Sequence, residues 1–305
     1  MKTLIVITGP TGVGKTAAAI QLARQLHCDI INADSRQIYR GIPICTAAPT
    51  PEELAAVRHH FVAFKDLEET YNAAWFESDV LQLLPSLWQQ GDYAVMCGGS
   101  MLYVDAVCRG IDRLPDITTE VRQAVKDKLA REGLQSLVAE LQQLDPAYAA
   151  TIDRNNTSRV CHGVEICRQA GVPYSTLRTG TPKPRDFNIV KLALNVERDE
   201  LYRRINSRVD RMIEAGLEQE AHSVFHLRHL NSLNTVGMKE MFAFLDGTID
   251  RHTAIERMKK NTRVYAKKQL TWYRRDPSIT WVTPDKAVPT AINLIQADAI
   301  TTNNP

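Results

Sequence analysis

Apolar and polar positions follow one another along the first third of the chain in a pattern typical of short buried strands alternating with amphipathic helices. The apolar run Thr3–Thr8 predicts a strand, and the alanine-rich residues 17–23 predict a helix after it. Residues 28–33 predict a second strand and residues 92–97 a third, with helical spacing of apolar residues over 50–90 between them. Because strands that alternate with helices build parallel sheets, the pattern predicts an α/β fold.

The pattern changes to helix alone from Asp116 to Gly171, where apolar residues recur every three or four positions. Asn156 is typical of a helix start and Gly171 of a helix end. Residues 189–196 predict a return to the sheet. A helix follows, with Leu201, Ile205, Val209 and Met212 facing the core.

These elements predict two domains in one chain. Residues 1–114 and 184–305 form the core, a parallel sheet flanked by helices, which the motif G-x-x-x-x-G-K-[ST] at residues 9–16 indicates to be P-loop NTPase-like. Residues 115–183 form an all-helical subdomain inserted into it.

Composition is that of an ordinary globular protein, with 44% hydrophobic and 24% charged residues in a chain of 305. No run approaches the ~20 apolar residues that cross a bilayer, and the N-terminus enters the first strand without a signal-peptide pattern. The six cysteines contain no C-x-x-C pair, which argues against a zinc site and for free thiols. We therefore expect a cytoplasmic protein without membrane partners.

A glycine-rich phosphate-binding loop follows the first strand directly. The motif G-x-x-x-x-G-K-[ST] is formed by Gly9, Pro10, Thr11, Gly12, Val13, Gly14, Lys15 and Thr16. Strand, loop and helix together present backbone N–H groups and the positive end of the helix dipole to an anion. Lys15 would contact the outer phosphate and the Thr16 hydroxyl would hold Mg²⁺. The loop predicts binding of a diphosphate or of a nucleotide such as ATP.

The ends of the next two strands bear on the chemistry, because ligands of parallel sheets lie beyond the carboxyl ends of strands. Asp34 follows the second strand and could bind Mg²⁺, act as a base or cap a helix. The third strand ends in Gly98-Gly99-Ser100, where ordinary P-loop ATPases carry a Walker B aspartate. The pattern therefore favours phosphate recognition without standard ATP hydrolysis.

Positive charge concentrates near the C-terminus, although the whole chain carries only +2. Residues 253–275 carry a net charge of +7, interleaved with Tyr265, Trp272 and Tyr273. Basic and aromatic residues in alternation are typical of RNA-binding surfaces, while Trp272 could equally be a core residue. A second basic stripe, Arg204, Arg208 and Arg211, would by itself be an ordinary solvated helix face.

Several blocks of the chain, in this order, resemble those of the tRNA dimethylallyltransferases, or tRNA isopentenyltransferases: Gly9–Thr16, Asp34–Tyr39, Thr46–Ala47, Gly98–Tyr103, Val236–Glu240 and Thr262–Arg274. The resemblance spans nearly the whole chain. It implies that dimethylallyl diphosphate occupies the loop, with Mg²⁺ on Thr16. The dimethylallyl group is then transferred to N6 of the adenine at position 37, beside the anticodon of tRNA, and diphosphate is released.

The resemblance also implies roles for single residues. Asp34 would be the general base, Ser100 would position the reacting groups, and Arg208 aligns with an arginine that contacts the diphosphate. The helical insertion would hold the anticodon stem-loop. The implied tRNA contacts are Asp34, Ser35, Arg36, Gln37, Ser100, Arg122, Ser158, Arg159, Val160, Cys161, His162, Asn234, Thr235, Val236, Gly237, Met238, Lys239, Lys267, Lys268, Gln269, Leu270, Thr271, Trp272, Tyr273 and Arg274. We expect a monomer.

The chain departs from the family pattern at several positions. Cys45 replaces a glycine and Ala48 a lysine, and the other departures are Ser100, His162, Asn234 and Met238. An adenylate isopentenyltransferase, a small-molecule P-loop kinase and a non-catalytic RNA-binding protein are the alternatives. The helical insertion and the basic C-terminal block argue against the first. The set of Lys15, Asp34 and Ser100 on one sheet edge argues against the last.

Overall fold

Six strands form one sheet in the computed structural model, which describes residues 2–302. They are β1 Thr3–Thr8, β2 Ile30–Asn32, β3 His59–His60, β4 Tyr93–Cys97, β5 Asn188–Leu194 and β6 Ile279–Val282. Their order in the sheet is β3-β2-β4-β1-β5-β6, and every pairing is parallel. The prediction of a parallel α/β core is confirmed.

Helices account for most of the remaining described residues. They are α1 Lys15–Leu26, α2 Pro43–Thr46, α3 Pro51–Ala56, α4 Ala73–Leu87, α5 Met101–Arg109, α6 Thr119–Glu132, α7 Leu134–Leu144, α8 Pro146–Thr151, α9 Thr157–Ala170, α10 Tyr174–Leu177, α11 Arg198–Glu214, α12 Leu217–Ser223, α13 Met238–Leu245, α14 Arg251–Tyr273 and α15 Ala287–Thr302. Short 3₁₀ turns cover Phe225–Leu227, Asn231–Leu233 and Pro284–Lys286.

The central strand β1 is buried on both faces, which explains its unbroken apolar sequence. Ile5 and Ile7 pack into one core with α1, α11 and α15, whereas Leu4 and Val6 pack into a second with α4 and α5. A third core joins α11, α13 and α14 and includes Val209. The predicted inward face of α11 is thus buried, as its spacing indicated.

Contacts divide the chain into two units, Gly110–Lys183 and the described residues on either side of it. The strands lie outside Gly110–Lys183, and the elements within it are α6 to α10. Its own core includes Val125, Leu141 and Val164. The side chain of Asn156 accepts a hydrogen bond from the backbone N–H of Arg159 at 3.2 Å and caps α9, as predicted.

The helical pattern read over residues 50–90 is wrong for its middle part. That stretch contains the two-residue edge strand β3 and an irregular segment before α4 begins at Ala73. The strand β6 was also not predicted. Both lie at the edges of the sheet, where short strands carry little periodic signal. Within residues 2–302, no helix is both long enough and apolar enough to span a bilayer.

Candidate active site

The carboxyl ends of β1, β2 and β4 meet at one edge of the sheet and bring three predicted groups together. β1 leads into the phosphate loop, β2 into Asp34 and β4 into Ser100. β4 pairs with both other strands, and Cys97 at its end aligns with Ile7 and with Asn32. Neighbouring parallel strands that end together place their following residues side by side, so the sheet itself assembles the site.

Lys15 lies at the start of α1 and turns back over its own loop. Its Nζ donates hydrogen bonds to the carbonyl oxygens of Gly9 at 3.0 Å and Pro10 at 2.9 Å. Burial lowers the pKa of Lys15 from 10.5 to about 8, with the Arg208 charge acting in the same direction and Asp34 against it. The buried ammonium is therefore poorly compensated by negative charge, and a bound anion would supply that charge.

Asp34 uses one carboxylate oxygen for structure and leaves the other for chemistry. Oδ1 accepts hydrogen bonds from the backbone N–H of Arg36 at 2.9 Å and of Gln37 at 3.3 Å. The helix-cap alternative is wrong, because no helix begins at Asp34, and Oδ1 instead holds a turn. Oδ2 accepts no hydrogen bond from any residue between 2 and 302. The turn therefore fixes the carboxylate while one oxygen can accept a proton.

Ser100 lies beside Asp34 because the ends of β2 and β4 approach each other closely. Its Oγ accepts a hydrogen bond from the backbone N–H of Ser35 at 2.8 Å and lies 3.1 Å from the Ser35 Oγ. A Cβ at Gly98 would lie 2.1 Å from the carbonyl oxygen of Ala33, so only glycine permits this approach. The Gly-Gly-Ser sequence is a packing requirement of the site.

Arg208 reaches the same edge from α11. Its Nη1 donates to the Thr11 hydroxyl at 3.3 Å, and burial lowers the pKa of the guanidinium from its usual value. Among the described residues, neither Arg208 nor Asp34 has an ion-pair partner within 4.0 Å. Arg204, by contrast, pairs with Glu200 at 2.6 Å and donates to the Val13 carbonyl oxygen. Arg208, which has no acidic partner, is thus free to meet an anion.

Two cavities meet at these residues. The polar cavity, of about 430 Å³, is lined by the loop residues Gly12, Gly14, Lys15 and Thr16, among others. The mixed cavity, of about 300 Å³, has Ser100 at its polar side and an apolar side. That apolar side is formed by Cys45, Ile205, Val209, Met212, Val236 and Met258. Thr11, Asp34, Thr46, Arg208 and Tyr265 line both cavities. The polar cavity and the mixed cavity therefore join at Asp34 and Arg208.

Gln269 has a role that the sequence did not reveal. Its side chain is 2% exposed, accepts a hydrogen bond from the Thr11 N–H at 2.8 Å and donates one to the Gly99 carbonyl at 2.8 Å. It thereby ties the phosphate loop to the end of β4. The signal was present, because Ala266, Gln269 and Tyr273 share the buried face of an otherwise basic helix.

Burial corrects part of the tRNA-contact prediction. The side chains of Val160, Met238, Gln269 and Tyr273 are at most 2% exposed, and a side chain without surface cannot contact RNA. We assign them to packing or, for Gln269, to the loop. Gly237 is buried as well. Trp272 is half-buried and donates its indole N–H to Asp105 at 2.8 Å, in agreement with the core alternative.

The other residues predicted to contact tRNA keep some exposure. Arg36 donates to the carbonyl oxygens of Asn231 and Ser232, and Gln37 donates to those of Thr46 and Ala47. The exposed members of the predicted set are Arg122, Ser158, Arg159, His162, Asn234, Lys239, Lys267, Lys268, Thr271 and Arg274. Ser35, Cys161, Thr235, Val236 and Leu270 are half-buried. Contact between these residues and tRNA stays a prediction.

Known proteins and a family model resemble this chain over most of its length. A sequence model of the family described as IPP transferase matches residues 37–276. A protein of Parabacteroides distasonis named tRNA dimethylallyltransferase 2 is 50% identical over 286 residues, which is 94% of this chain and 96% of that protein. A protein of Porphyromonas gingivalis with the same name is 50% identical over 293 residues, covering 96% of this chain and 98% of that protein.

Solved structures agree with this result. The full-length tRNA isopentenylpyrophosphate transferase of Bacillus halodurans superposes with a TM-score of 0.71 at 36% identity, covering 97% of this chain and 96% of that one. A eukaryotic dimethylallyltransferase, described as acting on tRNA, superposes with a TM-score of 0.80 at 27% identity. That match covers all of this chain and 81% of the eukaryotic one.

Proposed function

The chain belongs to the IPP transferase family, and from this membership we propose how its site carries out the reaction. The enzyme transfers a dimethylallyl group to tRNA. We propose that the donor is dimethylallyl diphosphate and the acceptor is N6 of adenine 37, on the 3′ side of the anticodon. The adenine must leave its stack to reach the site, as in other enzymes that modify a base.

The observation that carries this proposal is the junction of the two cavities. Dimethylallyl diphosphate has a charged head and a short apolar tail. The polar cavity, with Lys15 and the loop, suits the head, and the apolar side of the mixed cavity suits the tail. The carbon between head and tail would then lie near Asp34 and Arg208, which line both cavities.

Asp34 then acts as the general base. As the bond from N6 to the allylic carbon forms, the bond from that carbon to the diphosphate oxygen breaks, and the proton of N6 passes to Asp34 Oδ2. Because an exocyclic amine is a weak nucleophile, holding it in line contributes as much as removing its proton. The turn that fixes Oδ1, together with Ser100 beside it, provides this orientation.

The leaving diphosphate gains negative charge as its bond to carbon breaks. Lys15, the N–H groups of the loop and the guanidinium of Arg208 are placed to stabilise that charge. Mg²⁺ fits this site as a partner of the substrate. Thr16 offers one hydroxyl oxygen, and no group of three acidic, histidine or cysteine ligands occurs among residues 2–302. Since Mg²⁺ keeps waters and binds substrate phosphates, it would neutralise diphosphate charge while held by Thr16.

Incubation of the enzyme with unmodified tRNA and dimethylallyl diphosphate, followed by mass spectrometry of the nucleosides, tests the proposal. We expect one adenosine per modified tRNA to gain a dimethylallyl group. A parallel incubation with AMP and the same donor tests the adenylate isopentenyltransferase, and one with ATP tests the kinase. Prenylated AMP without prenylated tRNA would overturn the proposal. The cytoplasmic location and the monomeric state stay predictions.

The basic helix α14 supplies a test of tRNA binding. Lys267 and Lys268 are exposed, and neither forms an ion pair within the described part of the chain. Replacing both with alanine should weaken tRNA binding about tenfold at low salt. The slope of log K against log salt should become less steep by one to two, because each lost phosphate contact releases one counterion fewer.

A matched control uses two exposed arginines at the other edge of the sheet. Arg24 lies in the last turn of α1, about 14 Å along the helix from Lys15, and Arg58 immediately precedes β3. Alanine at both positions removes the same charge and should leave the salt slope unchanged. Equal slopes for the wild type and the Lys267/Lys268 variant in a filter-binding titration would contradict the assignment of these lysines.

A further inference from the structure

The apolar side of the mixed cavity ends in a closed wall. Cys45 from α2, Met212 from α11, Met258 from α14 and Val236 from the loop before α13 form this wall. Met258 is 2% exposed and Cys45 7%, so solvent hardly reaches behind them. A ligand tail that enters between Asp34 and Arg208 therefore meets a barrier formed mainly of sulfur-containing side chains.

The backbone at Cys45 is held in place by a half-buried acid, Glu220. One carboxylate oxygen of Glu220 accepts from the N–H of Ile44 at 2.8 Å, and the other accepts from the N–H of Cys45 at 2.8 Å. The thiol itself lies 3.5 Å from the Val236 carbonyl oxygen. These contacts hold the Cys45 thiol in a fixed position as part of the cavity wall.

The Cys45 thiol is also unreactive. Burial raises the pKa of Cys45 far above its ordinary value, with the charge of Glu220 acting in the same direction. A thiol that stays protonated is a poor nucleophile and behaves as a small apolar group. Its contribution at this position is therefore its volume.

Gly237 shows that no spare volume lies behind the wall. A Cβ added there would lie 2.6 Å from the Cys45 Sγ and 3.2 Å from the Met258 Cε. Its φ of 101° also falls in the region that favours glycine. The two sulfur-containing side chains thus pack directly on the Gly237 backbone, and a longer tail could be accommodated only by displacing one of them.

We propose that Cys45 and Met258 set the length of the prenyl chain that the enzyme accepts, admitting a five-carbon tail and excluding longer ones. The inference rests on the proposed function, because it requires the tail to occupy the mixed cavity. Bond making and bond breaking are the same for every tail length. Only the contact of the tail end with the wall changes.

Kinetics with two donors test the inference: dimethylallyl diphosphate and its homologue with one additional methylene at the tail end. For Cys45→Gly, which restores the glycine of the family pattern, we expect the ratio of kcat/KM for the longer donor to that for the shorter one to rise about tenfold. One methylene in an apolar pocket is worth about 10- to 200-fold. Met258→Ala opens the same wall from α14 and should raise the ratio in the same direction.

Matched variants control for the general effect of a buried truncation. Cys108→Ala and Met241→Ala shorten a buried cysteine and a buried methionine that lie outside the lining of both cavities, and the ratio should not change. Ratios that stay within twofold of wild type in both Cys45→Gly and Met258→Ala, with transfer of the five-carbon group retained, would overturn the inference. If the wild type transfers a group from neither donor, the proposed function itself fails.

The filling variant Cys45→Leu adds a test in the opposite direction. It should lower kcat/KM for dimethylallyl diphosphate at least tenfold, because the added carbons occupy the end of the tail site. The affinity for inorganic pyrophosphate, which has no tail, should stay within twofold of wild type. Equal losses for both ligands would mean that the substitution distorts the whole site and would contradict the assignment of Cys45 to the tail.

Discussion

Asp34→Asn is expected to lower the rate of dimethylallyl transfer by about 100- to 10,000-fold, the range that general-base groups contribute. The amide oxygen of asparagine can still accept the hydrogen bonds of Arg36 and Gln37, so the turn is kept while the base is lost. Affinity for tRNA should stay within a few-fold of wild type. Single-turnover kinetics with bound tRNA, followed by nucleoside mass spectrometry, measure the chemical step directly.

Two further variants separate the base from the turn. Asp34→Ala removes both, and loss of the turn's hydrogen bonds should lower stability by about 0.5–1.5 kcal/mol beyond the effect of asparagine. Asp29 lies at the other end of β2 and pairs with His60 at 2.8 Å, so Asp29→Asn makes the same chemical change on the same strand away from the site. Turnover of Asp34→Asn within a few-fold of that of Asp29→Asn would exclude the general-base role.

The parts of the site that could be predicted from sequence are those encoded in contiguous residues. The loop from Gly9 to Thr16, Asp34 and Ser100 each follow a strand directly, and parallel strands bring their carboxyl ends together without further information. Lys15 and Asp34 accordingly line the same cavity.

The parts that could not be predicted depend on the orientation of long helices. Charge, aromatic content and the family resemblance suggested that residues 267–274 contact RNA, yet Gln269 and Tyr273 are buried, whereas their neighbours Lys267 and Lys268 are exposed. Similarly, Glu220 meets Cys45 from an element 175 residues away in sequence. Such long-range pairs leave no local periodicity, so they appear only in the structure.

The same distinction applies to Arg208. By spacing alone it belongs to a solvated stripe with Arg204 and Arg211. In the structure Arg204 is held by Glu200 and the loop carbonyl of Val13, and Arg211 donates to its own helix at Ser207. Arg208, by contrast, donates to the Thr11 hydroxyl, and among the described residues it binds neither an acidic group nor a helix carbonyl.

Lys15→Met is expected to lower kcat/KM for dimethylallyl diphosphate by at least 100-fold, because it removes the cation of the phosphate loop that lines the polar cavity. Binding of the donor without tRNA should also depend on pH in a way that identifies Lys15. In the free protein burial lowers the pKa of Lys15 to about 8, so below pH 8 the ammonium is charged, and above it the neutral amine predominates. A bound diphosphate favours the charged form and raises that pKa.

The direction in which the donor affinity changes with pH follows from this linkage. Since the complex holds the proton more tightly than the free protein, the affinity is highest below pH 8 and falls up to tenfold per pH unit above it. Isothermal titration calorimetry at pH 8.5 in two buffers of different ionisation enthalpy should show proton uptake on binding. Lys15→Met should show none, whereas Arg208→Gln should bind more weakly and retain the uptake. In Arg208→Gln the pH at which the affinity begins to fall should be higher than in the wild type, because the Arg208 charge contributes to the lowered pKa of Lys15. An affinity that does not vary between pH 7 and pH 9.5 in the wild type would show that Lys15 does not titrate against the diphosphate.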